Sequence, residues 1–86
     1  MKYEIRWIET ASKALSRLDL KAQRRVAAAV EALAYNPRPF PQSKKIEPFV
    51  RNERNLRIGI HFRVRYTVDD AAKIVWILDA STRENA

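Results

Sequence analysis

The chain has no cysteine, and it has one glycine, one histidine and one methionine. Without cysteine there is no disulfide framework, no thiol nucleophile and no cysteine-based zinc site. A reducing cytoplasm suits such a composition and is the expected location. With Gly59 as the single glycine, no glycine-rich loop can cradle a nucleotide phosphate. No apolar run is long enough to span a bilayer. The opening MKYEIRWIETASKAL carries charge throughout, so neither a signal peptide nor a membrane anchor is expected. No set of His, Asp and Glu has metal-ligand spacing, so no metal or other cofactor is expected. Acidic residues are also few, ten against seventeen Lys and Arg, which leaves a net charge of +7. An excess of that size on a short chain points to an anionic partner or an acidic protein that masks the charge.

The 86 residues fit a single domain, 1–86, with a core of modest size. YEIRWIE reads as a strand with Tyr3, Ile5 and Trp7 on one face and Glu4 and Arg6 on the other. Thr10 is placed to cap a first helix over ASKALSRL. Asp19 is placed to cap a second over LKAQRRVAAAVEALAYN, whose Ala22, Val26, Ala29, Val30 and Leu33 form an apolar stripe. The short link near Leu18 predicts an antiparallel helix pair. The three prolines of NPRPFP exclude helix and central strand. A short strand is expected near Lys45 or Phe49. NLRIG starts another, which Gly59 ends or bulges. HFRVRYTV is the next strand, DDAA a turn, and KIVWILDA a final strand apolar on both faces, as in the middle of a sheet. The fold class is therefore α+β: a small antiparallel sheet of about four strands with an N-terminal two-helix hairpin on one face, in β-α-α-β-β-β order. The other face is left free to bind something.

The cations are concentrated. Arg38, Lys44, Lys45, Arg51, Arg54, Arg57, Arg63 and Arg65 fall in one window opposed only by Glu47 and Glu53, which accounts for six of the seven net charges. Like charges on neighbouring strands repel unless an anion lies between them. Arginine also presents a planar fork matched to phosphate. Lys2, Lys13, Lys21 and Lys73 are isolated and read as solvating cations. His61 shares strand parity with Arg63 and is either an exposed strand residue or a general base. Asp69 and Asp70 fall in a turn, and Asp79 is placed to pair with Arg63 or Arg83. Phe62 and Tyr66 alternate with the arginines and belong to the core face.

The element order, together with ASKALSRLDLKAQRRVAAAVEAL, NPRPF, SKKIE, NLRIG, FRVRYTVDD and KIVWIL, resembles the RelE/ParE toxin superfamily over nearly the whole chain. The most specific part is Leu56-Arg57-Ile58-Gly59 followed by Phe62-Arg63-Val64 and Tyr66 before an acidic turn. The resemblance implies a toxin of a type II toxin–antitoxin pair, with the RelE-like branch favoured. Its partners would be a cognate antitoxin in a hetero-oligomer and the ribosome with its mRNA, with no membrane involved. In that branch the ribose 2′-hydroxyl attacks the adjacent phosphate in line, without metal. The resemblance assigns Arg57, Arg63 and Arg83 to the reacting phosphate. His61 is the remaining candidate for moving a proton. Lys44 and Lys45, joined on charge by Arg54 and Arg65, would hold RNA. The chain departs from the RelE pattern at Asn55, where a lysine is frequent, and after Arg83, where no aromatic or histidine follows. The alternatives are a ParE-like toxin that inhibits DNA gyrase without catalysis, and a weak toxin whose basic face mainly binds an acidic antitoxin.

Overall fold

The computed structural model describes residues 2–46 and 53–82. Within them β1 (Glu4–Trp7) leads to α1 (Glu9–Ser16) and α2 (Leu20–Ala32). β2 (Ser43–Lys45), β3 (Glu53–Ile58), β4 (Phe62–Asp69) and β5 (Ile74–Thr82) follow. The strands form one sheet in the order β1-β5-β4-β3-β2. This is the expected α+β arrangement with two refinements. The short strand expected near Lys45 is present at Ser43–Lys45 and brings the sheet to five strands, and β1 lies parallel to β5 while every other pairing is antiparallel. A strand's own side-chain pattern reports which faces it buries, not which way a distant neighbour runs, so the parallel pair was not readable.

Asp19 caps α2 as expected: its Oδ1 accepts the Ala22 N–H at 2.8 Å. Gln23 then donates from Nε2 to the Leu18 carbonyl at 2.8 Å, tying the turn between the helices. The first helix differs from expectation. It begins at Glu9 with Ile8 at its cap and no side-chain capping bond, so Thr10 is inside the helix rather than its cap. Ile8 is held instead by its own N–H, which donates to the Ile77 carbonyl at 3.1 Å. Helix α2 stops at Ala32, short of the expected Asn36. Ala34 and Tyr35 donate to carbonyls three residues back, the tighter winding that closes a helix before Pro37.

Val26, Val30 and Leu33 of the helical stripe pack on Leu56, Ile58, Val64, Tyr66, Val68, Val75, Ile77 and Ala80. All of these strand residues share one face of the sheet. At an upper estimate of ~25 cal/mol per Å² of apolar surface, each of the Val, Leu and Ile side chains contributes about 1.5–3 kcal/mol. The predicted phase of β4 is therefore observed. The final strand is only partly as expected. Val75 and Ile77 are fully buried, but Ile74, Trp76 and Leu78 are half-buried on the face that carries no helix. Arg6 of β1 lies over the Trp76 ring, 5.5 Å from its centre. A bulge between Arg65 and Tyr66 in the β4–β5 ladder resets the register, so that Arg65 faces Asp79 and Tyr66 faces Ile77.

Candidate functional site

Strand parity divides the clustered cations between the two faces. Lys44, Arg57, Arg63 and Arg65 project to the helix-free face, opposite in phase to Leu56, Ile58, Val64 and Tyr66. Arg57 and Arg63 sit directly across from each other in the β3–β4 ladder. Lys44 faces Asn55, which in turn faces Arg65. The loop after α2 forms a wall. Its Gln42 carbonyl accepts the Arg57 N–H at 2.8 Å, pinning the loop to β3. Pro41, Gln42, Lys44, Asn55, Arg57 and Arg63 thus line an open cavity of about 250 Å³. Three cations converge on one hollow that polar backbone and amide groups complete. An oxyanion placed there would meet two planar forks and an ammonium.

Arg65 lies one row away, with its Nε 3.6 Å from the Glu53 carboxylate, so its charge is partly answered within the protein. Asp79 stands opposite Arg65 but forms no ion pair with it or Arg63 among the described residues. Arg83, expected at the reacting phosphate, lies outside the described residues.

Three expected positions differ. His61 is not in a strand. Gly59, Ile60 and His61 form the turn between β3 and β4, where Gly59 takes a φ of +61°. The His61 ring stands edge-on to Phe62 with ring centres 6.4 Å apart, and it is not among the residues lining the cavity. Left-handed Gly59 opens a turn that runs through His61, and β4 begins only at Phe62, so the alternation that sets Arg63 does not extend back to His61. Lys45 and Arg54, expected with the RNA-binding set, face each other in the β2–β3 ladder on the helix side of the sheet. There they join Arg38 and Val68 around a second cavity, of about 210 Å³.

The second cavity rests on a buried polar chain. The Tyr66 hydroxyl, fully buried, donates to the Pro37 carbonyl at 2.7 Å and lies 2.5 Å from Ser43 Oγ. Arg54 Nε donates to that same Oγ at 2.7 Å. Arg38 forms a two-point contact with Asp70, at 2.7 and 3.4 Å, and the Tyr3 hydroxyl donates to Asp70 Oδ1 at 2.6 Å. The Arg38 guanidinium, and next the Tyr3 hydroxyl, hold the Asp70 carboxyl below the usual carboxylate range. The hydrogen bond to Asp70 in turn raises Arg38. Asp69 serves the turn, accepting the Ala72 N–H at 3.0 Å. Alternation placed Tyr66 in the core but was silent on this role. A tyrosine at a buried strand position is itself the signal, because its hydroxyl must find partners there.

Comparison with curated proteins gives no match. Among solved structures the chain is similar to the RelBE2 toxin–antitoxin complex of Mycobacterium tuberculosis. That alignment has 25% identity and a TM-score of 0.83, and covers 96% of this chain and 100% of that one. It is similar also to the archaeal RelE–RelB complex of Pyrococcus horikoshii OT3, with 28% identity and a TM-score of 0.83 over the whole of both chains. A mutant of the E. coli toxin RelE in the free state shares the fold at 20% identity and a TM-score of 0.73, covering 94% of this chain and 83% of that one. The model of the ParE toxin of type II toxin–antitoxin systems matches residues 5–85. The chain belongs to that toxin family, within the RelE/ParE superfamily.

Proposed function

We propose that this toxin is a ribosome-dependent mRNA endonuclease of the RelE kind, acting as a single cytoplasmic domain and neutralised by a cognate antitoxin in a hetero-oligomer. The observation that carries the reading is the helix-free hollow on which Lys44, Arg57 and Arg63 converge. In the reaction the ribose 2′-oxygen attacks the adjacent phosphorus, its proton is removed, and the 5′-oxygen leaves and is protonated. The products are a 2′,3′-cyclic phosphate and a 5′-hydroxyl. Two negative charges develop on the phosphorane oxygens, and fixed cations aimed at them lower the barrier without reorganising. Arg63 and Arg57 fill that role, with Arg83 as a third contributor by family position. Lys44 and Arg65 hold the flanking strand. Among the described residues lining the hollow there is no ordinary proton acceptor, and arginine is too basic to serve. His61 stands in the β3–β4 turn and is not among the described residues lining the hollow. Slow cleavage driven by electrostatics follows from this arrangement.

The test is incubation with translating ribosomes, with the message mapped by primer extension. Cuts at A-site codons that end in cyclic phosphate are expected, and Arg63→Ala should remove most of them. Intact message at saturating toxin would end the reading. Two observations favour the alternative of a non-catalytic gyrase inhibitor: the matching family model is that of ParE, and Asn55 lines the hollow in place of a further cation. Inhibition of gyrase supercoiling at stoichiometric toxin, with message left intact, identifies that case.

A further inference from the structure

We propose that Arg38, Lys45 and Arg54 form a second anion site, on the helix side of the sheet, that binds a phosphate group. The inference goes beyond the open-face reading and holds whether or not that face cleaves RNA. The three cations line one cavity of about 210 Å³, with Val68 beside them among the described residues. Lys45 and Arg54 are directly opposite in the β2–β3 ladder, an arrangement that costs stability until an anion lies between them.

The guanidinium of Arg54 is not a loose surface charge. Its Nε donates to Ser43 Oγ at 2.7 Å and its NH2 group to the Ser43 carbonyl at 3.3 Å. Ser43 is 4% exposed, and its hydroxyl is fixed in turn by the fully buried Tyr66, whose own hydroxyl is anchored on Pro37. This chain runs from the core to the cavity and presets the direction of the remaining N–H groups. Arg38 is oriented from the other side by Asp70, itself held by Tyr3. Pre-set donors lose little freedom on binding, which is what separates a site from a scatter of lysines. Asp70 answers one of the three charges. Among the described residues no carboxylate pairs with Lys45 or Arg54, and these two charges, with a fork and an ammonium to offer, suit a doubly charged tetrahedral oxyanion better than a single carboxylate.

The experiment is a titration of the full chain with sodium phosphate at constant ionic strength, followed by 15N-correlated NMR including the arginine side-chain Nε–H signals. Saturable movement of the Arg54 Nε–H and of the Ser43, Lys45 and Arg38 amides is expected. Arg54→Gln should weaken that binding at least about tenfold. Lys45→Met, at an exposed position, keeps the test open if Arg54→Gln unfolds, and should weaken binding several-fold. Ser43→Ala removes no charge but takes away the shorter of the two Arg54 anchors, and should also weaken binding, which a purely diffuse field would not produce. No saturation of these signals, or equal binding in Arg54→Gln and Lys45→Met, would overturn the site. Glutamate displacing phosphate at equal concentration would overturn the assignment to phosphate. A single-stranded oligonucleotide whose salt slope falls by about one in Lys45→Met supports a backbone phosphate as the source. Binding of inorganic phosphate or a 5′-mononucleotide with no change in that slope supports a small phosphate ligand.

Discussion

Arg57 and Arg63 face each other across β3 and β4, and among the described residues no acidic one lines the hollow they share. In the free protein that pair should be a liability. Side chains directly opposite in an antiparallel ladder start about 4.5–5.5 Å apart, and two long guanidiniums spread to roughly 7 Å. At that separation and in near-aqueous dielectric, two unit charges repel by about 0.6 kcal/mol. A double-mutant cycle with Arg57→Gln, Arg63→Gln and the double variant isolates this quantity from the loss of the aliphatic stems. The coupling should be about 0.5 kcal/mol in 10–20 mM salt, with each single variant relieved of the repulsion. In a chain of this size it corresponds to a rise in Tm of about 2–5 °C per single variant once packing losses are cancelled. In 1 M salt the screening length falls to about 3 Å and the coupling should vanish. Arg63→Lys keeps the charge and should give no gain at either salt concentration. Urea denaturation followed by far-UV circular dichroism measures all five proteins. A coupling of zero or of opposite sign at low salt would mean that the two guanidiniums are splayed apart, and the hollow would then present no concentrated charge to a phosphate.

Three further outcomes follow from the fold. Tyr66→Phe keeps the ring but strips the hydroxyl from between Ser43 and Pro37, so it should cost about 1–3 kcal/mol in chemical denaturation, because buried partners are left unpaired. Gly59→Ala should cost about 1–2 kcal/mol by the same assay. The residue holds φ at +61°, and an added Cβ would run into the Arg25 guanidinium, which must swing away. The folded state depresses Asp70, so its contribution is complete above the carboxylate's unfolded value of about 4 and is lost as pH falls through the folded one. Asp70→Asn should therefore flatten the acid limb of the stability curve below about pH 4 while changing its slope little near pH 7, measured by thermal melts across pH.

Much of this architecture was legible because burial has a period. The alternation in Phe62 to Val68 gave the buried face of β4, and the spacing of Val26, Val30 and Leu33 gave that of α2. Asp19 could be read as a cap because an acceptor before an apolar stripe has a known use. Ile8, capping α1 with no side-chain bond, had no such signature. The parallel seating of β1 on β5 joins residues about seventy positions apart, and no local pattern encodes its direction. The face on which each cation lies was legible where alternation ran unbroken, at Arg57, Arg63 and Arg65. Legibility failed at His61, where Gly59 broke the period. It failed also at Lys45 and Arg54, which sequence proximity grouped with Lys44 and Arg57.

That last failure bears on function. In a strand, neighbouring residues point to opposite faces, so a run such as Lys44-Lys45 cannot concentrate charge on one surface. The window from Arg38 to Arg65 therefore serves two surfaces, each with its own supporting contacts. The open face is walled by Gln42 and Pro41, while the helix side is braced by Ser43, Tyr66 and Asp70. The brace is the costlier of the two, since it commits a buried tyrosine and a buried serine to hydrogen bonds that a purely apolar core would not need. A protein that needed positive charge only for a diffuse attraction to RNA or to an acidic partner could carry it on exposed lysines. The core-anchored Arg54 instead fixes a guanidinium in place, which is worth its conformational cost only if something binds there in one geometry. Ser43→Ala is the decisive variant for that reason. It leaves net charge, the open-face hollow and the Tyr66–Pro37 bond intact while loosening Arg54, which keeps only its 3.3 Å contact with the backbone carbonyl. Unchanged phosphate binding in that variant would reduce the second cavity to ordinary surface charge.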